Sequence, residues 1–404
     1  MRCIAVFVFL AAAPTAAAGG QSVPMSRAQA VQASVARSPR AGILVADTAV
    51  AAAQLLTARA LPNPALSGSY SKATPNYHVT ADLPLDYLWI RGIRVQAAEF
   101  GRNAARYRYL FGRAIVALDA DTTYTRALAA AARTRLSART AQDADSLRRM
   151  AVARRNAGDA SELDVQLATV NAAQQANIAA GDSLTTVSTL LDLQAILGQP
   201  TDRVVISLTD SLTEPSVDAS VAQAGMALPV AAAEAALQAA LFATRLQRRS
   251  VWSGAGIVFG FETGDPGGTG TSILPTFGIS IPLPFLDRNR GPIAQADAER
   301  QRAEWELALA RVETESRVAH AERVRGNALG RITRDKITVA AANQVAAMSL
   351  TAYREGAMAL PNVLEAQRTA REVLAQYIDD LAAAWIAAAE LRAFSLPPAT
   401  SRPQ

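Results

Sequence analysis

Few residues in this sequence could carry catalysis or hold a metal. Among 404 residues there are two histidines and one cysteine. His78 and His320 stand far apart, and neither has a second ligand at metal-binding spacing. They read as isolated polar residues of a strand and a helix. No GxxxxGK, GxSxG, HExxH or EF-hand pattern occurs. The run Gly264-Asp-Pro-Gly-Gly-Thr-Gly270 is glycine-rich but leads into a strand pattern, so it lacks the helix N-terminus that a phosphate cradle uses. Cys3 precedes the apolar part of an N-terminal leader, whereas a lipid-attachment cysteine would follow it. The mature chain is therefore expected to contain no disulfide, thiolate metal site or cofactor, and not to be an enzyme.

The polar residues with the sharpest local signal sit instead at two chain reversals. In the first, Gly158 suits a helix end, Ser161 an N-cap and Asp164 the third helical position that reciprocates the cap. In the second, Gly356 ends a helix and Pro361 fits the first turn of the next. Long elements must position these turns. Gly92 to Arg155 and Ile293 to Arg354 are helical in pattern and free of proline, each about 90–100 Å long if continuous. A return helix follows each, marked by Leu184, Val187 and Leu191 in one, and by Leu374, Ile378, Leu381, Trp385, Ala388 and Leu391 in the other. Their spacing of three, four or seven gives an apolar stripe for helix packing.

Two strand patterns precede each long helix. Arg27 to Arg59 is helical with a break at Pro39, and Pro62-Asn63-Pro64 stops it. Strands are then expected near 65–72 and 77–86, with Val79, Ala81, Leu83 and Leu85 alternating. In the second half they are expected near 251–262 and 273–284, where Ile257, Phe259 and Phe261, then Phe277, Ile279, Ile281 and Leu283, alternate around a glycine-rich loop at 263–272.

The two halves are copies of one unit. Leu83-Pro84-Leu85 recurs as Ile281-Pro282-Leu283, and Gly158, Asp164, Val165 and Ala168 recur as Gly356, Asn362, Val363 and Ala366, all at one offset. Gly92 and Gln96 recur as Gly291 and Gln295, one residue further along. The expected organisation is a cleaved signal over 1–20, a first repeat over 21–200 with its hairpin turn near 156–161, and a linker over 201–217. A second repeat follows over 218–396 with its turn near 355–361, then a flexible tail over 397–404. No segment outside the leader offers 18 uninterrupted apolar residues; the nearest, 226–243, is interrupted by Pro229, Glu234 and Gln238, so no spanning helix is expected. The net charge of +5 is distributed through mixed acidic and basic helix faces, a pattern of solvated surface and not of a nucleic-acid site.

The strands approach the length of membrane-crossing β-strands. Nine of the 22 aromatic residues lie in or beside them, including Tyr70, Tyr77, Trp89, Trp252 and Phe277, as an interfacial girdle would require. Soluble hairpins packed on helices also collect aromatics, and alternation alone leaves both readings open. Four strands cannot sit in lipid as an open sheet, because their edge groups would be unsatisfied. If they span a membrane, several chains must share a barrel.

Across nearly the whole mature chain the sequence resembles the TolC family of outer-membrane efflux proteins. The resemblance is carried by the duplication, by Pro62-Asn63-Pro64, by Ile281-Pro282-Leu283, and by Tyr353-Arg-Glu-Gly356 followed by Asn362-Val363-Leu364-Glu365-Ala366. It implies a mainly α fold with a small transmembrane β part: long α-helical hairpins forming an α-barrel, and four β-strands per chain in a 12-stranded barrel shared by a homotrimer. It places Asn362 and Glu365 in a ring at the periplasmic entrance, where asparagine instead of aspartate weakens the negative charge. It also implies an entrance latch between Asp164 and Tyr353, with Met358 standing where a second latch residue can be basic. The implied partners are outer-membrane lipid, a periplasmic adaptor of the membrane-fusion type, and an inner-membrane pump of the resistance-nodulation-division or ABC type. A type I protein-secretion exit shares this fold, and a non-porous periplasmic coiled-coil scaffold is the alternative from another class.

Overall fold

The computed structural model describes residues 22–85, 87–215, 226–264 and 273–397. The leader at 1–20, the centre of the glycine-rich loop, the end of the linker and nearly all of the tail lie outside the described residues. Strand β1 (Val23–Met25) leads into α1 (Arg27–Arg37), which starts on a capping box between Ser26 and Gln29. Ser38 then caps α2 (Pro39–Arg59), with Pro39 at the first helical position, so the helix breaks at the proline as expected and the proline starts the next one. Next come β2 (Ala65–Tyr70), β3 (Tyr77–Pro84), α3 (Tyr87–Ala157), α4 (Glu162–Ile196) and β4 (Ile206–Leu208). The second half repeats this order with α5 (Leu228–Arg249), β5 (Gly256–Thr263), β6 (Leu274–Ser280), α6 (Arg290–Arg354) and α7 (Leu360–Phe394).

The strands are shorter than their sequence patterns. A 3-10 turn occupies Ser250–Trp252, where the third strand was expected to start, and β6 ends before Ile281 and Leu283. Alternation continues past the last paired residue, but a strand needs a hydrogen-bonded neighbour and Pro282 cannot donate to one. The expected linker also contains structure, since β4 pairs in parallel with β1, Val23 against Ile206 and Met25 against Leu208. Ile206-Ser207-Leu208 does alternate, but three residues are too few for an alternation to signal a strand. Among the described residues, the one helix long and apolar enough to cross a membrane by length and composition is α2, with a mean hydropathy of 1.6 over 18 residues, and not the stretch at 226–243.

The helices form one layer. Near the sheet, α2 packs on α3, α3 on α5 and α5 on α6; at the far end, α4 packs on α3, α3 on α7 and α7 on α6. Thus α3 and α6, about 105 and 98 Å long, run the full length while shorter helices flank each half. Arg91 and Arg94 join the sheet-side ends by donating to the last carbonyls of α2, those of Ala58, Arg59 and Ala60.

A belt halfway along holds the two repeats together. Tyr124 is fully buried among Met25, Leu128, Leu193 and Ile206, and its hydroxyl donates to the Met25 carbonyl and to the Asp210 carboxylate, each at 2.9 Å. Burial and that carboxylate raise its pKa to about 12. Asp121 takes Arg27 from the N-terminus and Arg392 from α7, while the Arg27 guanidinium lies 3.9 Å from the Trp385 ring. The segment after β4 straps across this region: Trp385 Nε1 donates to the Thr213 carbonyl at 2.7 Å, and Lys336 pairs with Glu214.

Beside the strap, Asp335 of α6 interacts with Asp380 of α7, which is 1% exposed. Arg331 holds one oxygen of Asp380 at 2.6 Å, but Oδ2 of each aspartate is buried without a hydrogen-bond partner among the described residues. Desolvation and then the Asp380 charge raise the Asp335 pKa, against the pull of Arg331 and Arg334. The folded chain therefore binds this proton more tightly than the unfolded chain. Its stabilising contribution is present at low pH and is lost as pH rises from the ordinary aspartate range through the raised folded value. Asp335→Asn is expected to raise thermal stability above that window and to change it little below. Melting followed by helical circular dichroism at about pH 4 and about pH 7.5 checks this.

Candidate functional sites: the sheet faces and the hairpin ends

Two regions combine exposed residues in ways a monomeric soluble protein does not use. The first is the sheet, which has the order β2-β3-β5-β6 and is antiparallel throughout. Its register places Leu66, Gly68 and Tyr70 beside Ala81, Val79 and Tyr77, then Phe259, Phe261 and Thr263, then Phe277 and Pro275. Leu83, Ile257 and Ile279 continue the same rows. This face is apolar almost throughout, and it is open: Leu66, Phe277 and Ile279 are 77%, 76% and 77% exposed.

The opposite face carries Ser67, Ser69, His78, Thr80, Asp82, Glu262, Thr276 and Ser280 among glycines and a few apolar residues. Cross-strand polar pairs tie it together: Ser67 with Thr80 at 2.7 Å, and His78 Nδ1 with Glu262 at 3.2 Å. A soluble sheet turns its apolar face to a core, but among the described residues no helix covers that face. Both outer strands, β2 and β6, also lack a partner on one side among the described residues. Apolar outward, polar inward and edges to be paired are together the requirements of a barrel in lipid.

The second region is the far end of the helices. Gly158 ends α3 with φ +85° and Gly356 ends α6 with φ +78°, conformations that a side chain disfavours. Ser161 Oγ accepts from the Asp164 N–H, and Asp164 Oδ2 accepts from the Ser161 N–H, both at 3.2 Å, which completes a capping box. Pro361 lies in the first turn of α7 as its ring requires. Val165, Leu147, Ala151, Tyr353, Leu360 and Val363 form one small core that joins the two hairpin ends, with Met358 packed at its edge.

Asp164 and Tyr353 are therefore neighbours here, but the expected hydrogen bond between them is not made within the chain. The Asp164 carboxylate is occupied by the cap, and the Tyr353 hydroxyl is buried with no hydrogen-bond partner among the described residues. Burial raises the Tyr353 pKa, with the Arg154 charge opposing and the Asp164 charge adding to the rise. Arg154 provides the contact that the sequence did not reveal. From α3 it donates to the Tyr353 carbonyl at 2.6 Å and to the Asp159 carbonyl at 3.2 Å, and it lies 4.7 Å from the Tyr353 ring centre. In the sequence it is one of many arginines on a mixed-charge helix. Only the approach of α6 singles it out.

Asn362 and Glu365 both lie exposed on α7, one turn apart, on the side away from the buried Val363. Glu365 is paired with Arg368 at 3.1 Å, and Arg368 also reaches Glu372 at 3.8 Å. Among the described residues, no cluster of three or more potential metal ligands occurs.

No family model matches the sequence, and no curated protein does so. Solved structures do match its shape. VceC from Vibrio cholerae, an outer membrane protein, is 16% identical with a TM-score of 0.78, covering 92% of this chain and 96% of its own. CusC, described with transmembrane channel formation, is 16% identical with a TM-score of 0.76 over 92% of each chain. The CmeC outer membrane channel of Campylobacter jejuni is 13% identical with a TM-score of 0.76 over 91% and 85%. The chain has the TolC-family fold. At these identities the TolC-family likeness speaks for the path of the chain, and the side chains above carry the rest.

Proposed function

We propose that this chain is one third of a homotrimeric exit duct: a 12-stranded barrel in the outer membrane continued by a helical barrel through the periplasm. The observation that carries the reading is the sheet with one bare apolar face and two unpaired edges. The helical layer has matching ends. On the side of β2, α2 exposes Ile43 and Val50, and α4 exposes Leu163, Val170, Leu184 and Val187. On the side of β6, α6 exposes Trp305, Leu309 and Val312 near the sheet, then Ile337, Val345 and Met348 toward the far end. Each set recurs near helical spacing, so one copy offers apolar stripes where the next needs them. The β6 edge of one copy runs antiparallel to the β2 edge of the next, so three copies close the ring without a free edge.

The duct is passive and takes its energy from partners. A periplasmic adaptor of the membrane-fusion type and an inner-membrane pump of the resistance-nodulation-division or ABC type would dock at the hairpin ends, with no role for nucleic acid. Asn362 and Glu365 line the entrance, and its charge is low because Asn362 is neutral and Glu365 is paired. The unpartnered Tyr353 hydroxyl is a ready donor for Asp164 once that carboxylate turns from its cap, which is the proposed latch. A type I protein-secretion exit differs only in its partner.

Planar-bilayer conductance of detergent-purified protein, with oligomeric mass measured on the same sample, tests the duct. A trimer with small, long-lived conductance is expected. A water-soluble monomer or dimer without conductance, released from membranes by alkali, would leave the non-porous scaffold in its place.

A further inference from the structure

We propose that the cleft between α4 and α7 binds a small molecule bearing a carboxylate or phosphate, with Arg371 as its anchor. The cleft has a volume of about 500 Å³, is floored by Thr140 and Ala144 of α3, and reaches from the first turn of α7, at Pro361, to Ile178 of α4. That volume suits a compact metabolite-sized ligand. Its chemistry is unusual for a seam between packed helices. Beside the apolar Leu167, Ile178 and Leu364, the walls present the amides of Asn171, Gln174 and Gln175 opposite Arg368 and Arg371.

The two arginines differ in what they have available. Arg368 is neutralised by Glu365 and Glu372. Arg371 is half-buried, makes no ion pair among the described residues, and forms its one hydrogen bond with the neutral Gln175 Oε1. Gln175 is 6% exposed, and its amide nitrogen in turn donates to Asn171 at 3.4 Å. A buried amide thus fixes the guanidinium in one orientation and offers it no counter-charge. A guanidinium has five N–H donors, so most of the fork remains free toward the cleft, in the geometry that receives a planar oxyanion in two parallel bonds. Glu365 and Glu372 offset Arg368 and Arg371 in number, so the attraction for an anion rests on the unpaired Arg371 fork and not on an excess of positive charge. The site does not depend on the channel reading, although in a duct it would sit just inside the entrance and favour anionic cargo.

Titration calorimetry on the full-length protein in detergent, with inorganic phosphate and succinate as separate probes, tests the proposal. Saturable binding of at least one is expected, and comparing the two identifies the preferred oxyanion. Arg371→Gln is expected to weaken binding at least tenfold, while Arg371→Lys should retain phosphate better than succinate, because a point charge keeps attraction but not the planar fork. Should Arg371→Gln fail to fold, Gln174→Glu places a carboxylate in the lining without touching the Gln175 bond and should abolish binding. Lack of binding by both probes, or equal binding by Arg371→Gln, overturns the site. Binding without bilayer conductance would leave the site intact and remove the duct instead.

Discussion

Phe277→Lys is expected to release the protein from the membrane, whereas Thr276→Lys, one residue earlier on the same strand, is expected to leave it embedded. Phe277 is on the bare apolar face and Thr276 on the polar one, because successive strand residues alternate across the sheet. A lysine facing the lipid midplane costs roughly 2–4 kcal/mol, and three copies in one barrel would multiply this to roughly 6–12 kcal/mol. A lysine facing a water-filled interior carries no such penalty. The check is the fraction of each variant that stays in the membrane pellet after washing with alkali, together with heat-resistant trimer on unboiled gels. Equal behaviour of the two variants, both embedded or both released, would refute the assignment of faces and with it the barrel.

The second large effect is expected at Arg154. Its loss removes a charge-assisted hydrogen bond and a cation–π contact that tie the first hairpin end to the second, and a second hydrogen bond that closes the first turn on itself. Together these amount to about 3 kcal/mol per chain, allowing for partial exposure. Arg154→Ala should therefore enlarge the single-channel conductance several-fold and lengthen the open periods. Tyr353→Phe and Asp164→Ala probe the latch separately. If the two residues bond in the closed assembly, each variant opens the channel, and the double variant opens it less than the sum of the two. Additive effects would remove that bond and leave Arg154 as the tie. Asp164→Ala also loses its part of the capping box, worth about 1 kcal/mol, so its own change in helix stability must be measured alongside.

The hairpin ends and the sheet differ in how far the sequence alone reveals them. The hairpin turns were legible in the sequence because their determinants are local. A glycine that must adopt positive φ, a serine cap answered three residues later, and a proline in a first turn each act within one helical turn. The long helices were equally plain, since an unbroken proline-free run of helix formers has few other options. Strand pairs were visible by alternation, although their ends were not. Pairing stops where the neighbouring strand stops, and that is a property of two segments at once.

What the sequence by itself determined, then, is the order of elements, their duplication, the turn chemistry and the absence of catalytic motifs. Tertiary structure alone decided the rest. Alternation places Phe259 and Phe277 on one side of their own strands, but only the register shows that all four strands turn their apolar sides the same way. The same holds for β4, which exists because β1 lies beside it, and for Arg154 and Arg371, which differ from other helical arginines only through what another helix brings near them. Capping, propensity and periodicity act over a few residues, so they can be read along the chain. Register, burial and charge pairing join residues up to 271 positions apart, and no local pattern encodes which distant partner will arrive.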